Sequence, residues 1–101
     1  MLFFLTTMVK LPTTVSPYRV IGPFNQDTVP AGLLREHSTK AGVWGSLEVI
    51  QGELTYHITE PGTEVSYQLT PTNPGVIVPE QIHHVTVPRP VEFRITFLKD
   101  Q

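Results

Sequence analysis

Gly52-Glu53-Leu54-Thr55-Tyr56-His57-Ile58-Thr59-Glu60-Pro61-Gly62-Thr63-Glu64-Val65-Ser66-Tyr67-Gln68-Leu69 is the stretch on which the fold turns. Leu54, Tyr56 and Ile58 share one face, while Glu53, Thr55, His57 and Thr59 share the other. That is the two-residue period of a half-buried strand. Glu60-Pro61-Gly62-Thr63 is a turn, because proline presets φ and glycine accepts a positive φ. Beyond it Val65, Tyr67 and Leu69 alternate with Ser66, Gln68 and Thr70.

Working outward, Ser46 to Ile50 reads as a strand that ends in a bulge or turn at Gln51-Gly52. Downstream, Pro71 to Gly75 forms another turn, followed by the apolar run Val76-Ile77-Val78 and a strand from Ile82 to Val87. Val91, Phe93, Ile95 and Phe97 then alternate with Glu92, Arg94 and Thr96. In the first half, Pro12, Pro17, Pro23 and Pro30 exclude a long central strand and leave short edge pieces such as Tyr18 to Ile21. Leu33 to Thr39 is expected as a further strand. Asn25, Asp27 and Thr28 read as turn formers, and Trp44 as a core anchor. Short strands rich in Val, Ile, Thr, Tyr and Phe, punctuated by ten prolines and seven glycines, predict an all-β sandwich or barrel.

The 101 residues give room for one domain. Residues 1–9 are expected as an N-terminal extension or first edge strand, and residues 10–101 as the domain itself. Met1-Leu2-Phe3-Phe4-Leu5 lacks the basic start, apolar length and small-residue cleavage site of a signal peptide. No segment has the length of a membrane-spanning helix, so a cytoplasmic protein without membrane contact is expected. The net charge is −2 and the pI near 6.0. Seven scattered basic residues give no footprint for nucleic acid, whose phosphates require clustered Lys and Arg. The chain has no cysteine, so a metal site would use nitrogen and oxygen ligands.

The candidate ligands are therefore the histidines: His37, His57, His83 and His84. His83 shares its face with Val85 and Val87 and is expected to point inward. His84 shares a mixed face with Ile82 and Thr86, and His57 lies on the polar face of its strand. His37 falls with Leu33, Arg35 and Thr39, a pattern compatible with a lined cavity. Each has a plain alternative: His83 as a hydrogen-bonded core residue, and His57 as a solvated side chain. Adjacent strand residues face opposite ways, so His83 and His84 do not easily chelate one ion. No phosphate-binding glycine loop, G-x-S-x-G elbow or H-E-x-x-H helix is present.

Three blocks resemble the tellurite-resistance-protein-like cupin family. They are Pro23 to Lys40, Gly42-Val43-Trp44-Gly45-Ser46-Leu47 with Gly52-Glu53-Leu54, and Val78-Pro79-Glu80-Gln81-Ile82-His83. The resemblance covers roughly residues 10 to 98. It implies a cupin-type double-stranded β-helix (a jelly-roll barrel), a homodimer and a metal-capable pocket with histidines at His37 and His83. Zinc, nickel and iron are the divalent metals in view. The sequence departs from general metal-binding cupins in two places. Ser38-Thr39 follow His37 in place of a His-x-His pair, and Gly45 stands where a glutamate ligand is expected. His84, Glu36, Glu80 or water are left as candidates for a further ligand. Family members also occur as the N-terminal portion of tellurite-resistance methyltransferases, but these 101 residues contain no nucleotide-binding glycine motif of such an enzyme.

Three functions follow as expectations. The first is a binding or sensing module in a tellurite, oxyanion or other stress response, with Arg35, Lys40 and Arg94 offering charge to a small anion. The second is a metal-dependent oxygenase or isomerase with Glu36 or Glu80 as acid/base. The third is a structural dimer without metal.

Overall fold

A computed structural model describes residues 8–100. Most of the expected N-terminal extension or edge strand, residues 1–7, lies outside the described residues, and Met8 and Val9 belong to no strand. Seven strands follow: β1 (Val15–Asn25), β2 (Trp44–Gly52), β3 (Leu54–Glu60), β4 (Thr63–Leu69), β5 (Gly75–Ile77), β6 (His83–Thr86) and β7 (Val91–Asp100). They form two antiparallel sheets, one of four strands in the order β1-β7-β2-β5 and one of three in the order β4-β3-β6.

The alternation read from the sequence becomes the packing. Leu54, Tyr56 and Ile58 of β3 meet Leu47 and Val49 of β2 and Phe93 and Ile95 of β7 in one core. Tyr56 and Phe93 are fully buried, each worth about 1.5–3 kcal/mol in apolar transfer. The Tyr56 hydroxyl donates to the Val76 carbonyl at 3.0 Å and so ties β3 to β5 of the opposite sheet. Burial, reinforced by Tyr67, pushes its ionisation far above the ordinary range, so it remains a neutral donor.

The chain changes sheets at Glu53. Ile50 is the extra residue of a bulge against β7, and Gly52 has φ 87°, a left-handed conformation that glycine adopts without strain. A Cβ at Gly52 would overlap the Pro90 carbonyl. Asn25 closes β1 as expected, its Oδ1 accepting from the amides of Asp27 at 2.8 Å and Thr28 at 3.0 Å.

Three expectations are corrected. The proline-rich first half carries an eleven-residue strand, β1, rather than short pieces. Among the described residues it pairs only with β7, and its register breaks between Pro17 and Arg19 and between Ile21 and Phe24, so the prolines are accommodated at an edge and at bulges. Leu33 to Thr39 is no strand. Ala31–Leu34 is a 3-10 helix started by Pro30, and His37 alone makes a β-bridge. Trp44 is half-buried at the start of β2, opposite Leu98, and stands outside the buried cluster.

Candidate functional site

His83 opens β6 and is buried, with 1% of its surface exposed, on the inward side foreseen from its parity with Val85. His37 is brought to it by the single β-bridge. His37 N–H donates to the His83 carbonyl at 3.0 Å, and His83 N–H to the His37 carbonyl at 2.9 Å. The two rings lie edge to face with centroids 4.3 Å apart.

Both rings use Nδ1 in the same way. His83 Nδ1 lies 2.8 Å from the Gln81 carbonyl, and His37 Nδ1 lies 2.8 Å from the Arg35 carbonyl. A carbonyl only accepts, so each Nδ1 carries the proton and each Nε2 keeps its lone pair when the ring is neutral. Burial pushes the His83 pKa down to about 4, helped by the neighbouring His37 and His84 and opposed by the Gln81 bond. His83 is therefore neutral near pH 7. Its Nε2 is buried and has no hydrogen-bond partner among the described residues. A ring held through Nδ1–H by a backbone carbonyl, with Nε2 left open, is the arrangement found behind metal-ligating histidines.

The remaining expected residues do not gather at this pair. His84 points to the opposite side of β6, where it stacks on His57 at 4.5 Å with an interplanar angle of 11°. Glu36 is exposed and accepts from the Thr59 hydroxyl at 2.8 Å, and Glu80 is exposed with φ 65°. Arg94 lies on the outward face of β7, its Nε 3.4 Å from a Glu48 carboxylate oxygen. Arg35 is exposed beside His37, and Lys40 lines a shallow depression with Arg19, Ser38, Thr39 and Phe97. A Cβ at Gly45 would stand 2.8 Å from Ile77 Cδ1 and 3.0 Å from Ile77 Cβ, so the position of the missing glutamate is filled by an apolar side chain.

A second group went unforeseen. On the outward face of the three-stranded sheet, His57 Nδ1 lies 2.8 Å from Ser66 Oγ and 3.1 Å from Glu64 Oε1, and Nε2 lies 2.8 Å from Thr86 Oγ1. Parity placed His57 on this face. The partners follow only from the register, which sets Ser66 and His84 directly opposite His57, with Glu64 two residues from Ser66 along β4.

A sequence profile described as the TehB-like domain matches residues 19–95. The chain belongs to the TehB-like family. The relationship to tellurite-resistance proteins carried by the three sequence blocks thus holds. Among solved structures, TehB from Haemophilus influenzae superposes with a TM-score of 0.79 at 25% identity over 87% of this chain. This TehB-like chain spans 32% of the length of that protein. A protein from E. coli strain K12 superposes with a TM-score of 0.82 at 24% identity, over 93% of this chain and 99% of its own. No curated protein matches the sequence. Among the described residues, no helix is long and apolar enough to cross a membrane.

Proposed function

We propose that this TehB-like domain is a cupin-type binding module in which His37 and His83 hold a divalent transition metal through Nε2, serving recognition of a small anion in a stress response. The observation that carries this is the buried, unpartnered Nε2 of His83 beside a Nδ1 that is fully engaged. A buried polar atom without a partner costs about 1–3 kcal/mol, and a coordinate bond would remove that cost. Two neutral imidazoles suit zinc, nickel or iron, and leave coordination positions open for an anion. The metal would supply an electrophilic anchor. Arg35 and Lys40 flank His37 in the sequence and are the basic side chains nearest to it along the chain. The resemblance to tellurite-resistance cupins makes an oxyanion the first ligand class to try.

A metal-free structural role is the second reading, and Ile77 filling the space beside Gly45 supports it. Glu36 is exposed and takes the Thr59 hydroxyl, and Glu80 is exposed, which favours a binding role over the oxygenase or isomerase reading. Metal analysis of untagged protein beside His37→Ala and His83→Ala separates the metal and metal-free readings. We expect each variant to hold about one metal ion fewer per chain than the parent. Equal metal content in parent and variants, after incubation with zinc, nickel and iron(II), refutes the metal reading.

A further inference from the structure

We propose that Glu64, His57 and His84 form a separate surface site for a divalent cation of the zinc class, on the outward face of the β4-β3-β6 sheet. Each strand contributes one donor: Glu64 from β4, His57 from β3 and His84 from β6. One ligand atom from each lies within 4.8 Å of the others. Two imidazoles and one carboxylate are the donor set that first-row transition ions prefer, and the one the inward pair lacks.

The geometry is close to what coordination needs. Ligands about 2.0–2.2 Å from a tetrahedral ion stand about 3.3 Å from each other. His57 Nδ1 and Glu64 Oε1 are already 3.1 Å apart. His84 is the group that must move, because its ring is stacked on His57 and a lone pair binds metal in the ring plane. Its Nδ1 is buried without a partner, so turning that nitrogen toward an ion breaks no hydrogen bond and satisfies an orphaned atom. Thr86 Oγ1 holds Nε2 of His57 at 2.8 Å, which fixes the ring while Nδ1 is used.

The register points the same way. His57 and His84 are directly opposite in the register, so the two rings are held side by side on one face by the backbone pairing itself. Ser66 Oγ, now 2.8 Å from His57 Nδ1, would be displaced to a water-facing rotamer on an exposed strand.

The test is a zinc titration of the full chain, followed by imidazole nitrogen NMR shifts and by calorimetric stoichiometry. In the parent, zinc should move the His57 and His84 resonances. His84→Ala should bind one zinc ion fewer per chain, and Glu64→Gln should weaken that same ion while His37 and His83 respond as in the parent. His37→Ala should leave the His57 and His84 responses intact, so loss of the inward site and loss of this one are read apart. Unmoved His57 and His84 resonances, or equal zinc stoichiometry in the parent and His84→Ala, overturns the proposal.

Discussion

Replacing Gly45 by alanine measures how tightly the interior is filled where a cupin glutamate would stand. The new Cβ meets Ile77 at 2.8 Å (Cδ1), 3.0 Å (Cβ) and 3.3 Å (Cγ1). Ile77 is 2% exposed, and its Cβ is fixed to the backbone, so rotation alone cannot clear the overlap. Overpacking of this kind costs about 1–3 kcal/mol. Alanine returns about 0.4–1 kcal/mol by restricting the unfolded chain. The net expectation is a loss of about 1–2 kcal/mol, read by urea denaturation, or a fall in Tm of about 5–15 °C for a domain of this size. Ile77→Val removes Cδ1 and should cost about 0.5–1.5 kcal/mol alone, yet nearly nothing in the Gly45→Ala background. A Gly45→Ala variant as stable as the parent refutes the packing account. So does additivity of the two substitutions within about 0.5 kcal/mol.

Acid should weaken the fold through His83. The unfolded ring takes up its proton near 6.5 but the buried ring only near 4, so the stabilisation is complete above pH 6.5 and is lost as pH falls toward 4. The full effect is about 3 kcal/mol. Urea denaturation across that window should show this slope in the parent and a flatter one in His83→Gln; equal slopes contradict it. Gly52→Ala forces a side chain into φ 87° and against the Pro90 carbonyl, for an expected loss of roughly 2–5 kcal/mol by the same assay. An unchanged denaturation midpoint would show that the corner relaxes freely.

The second half of the fold was legible because its strands are buried on one side. A core-facing row of Leu54, Tyr56 and Ile58 leaves little choice of register. The first half hid β1 because a proline reads as a strand breaker until its partner is known, and an edge strand with bulges tolerates two. Leu33 to Thr39 misled because a β-bridge of one residue has no period. The inward placement of His83 followed from parity, while His37, bridged to it, was singled out through the family resemblance. Neither the Gly45–Ile77 contact nor the Glu64–His57 pair has a local signature. Both join residues on different strands, and only the register sets them side by side.

The outer margin of β1, which pairs with no strand among the described residues, bears on strand addition. A long edge strand offers a row of donors and acceptors on which a second molecule can extend the ladder. Here Pro17 and Pro23 carry no N–H, and the bulges beside them break the spacing that an incoming straight strand would need. Strand addition along β1 is thereby discouraged.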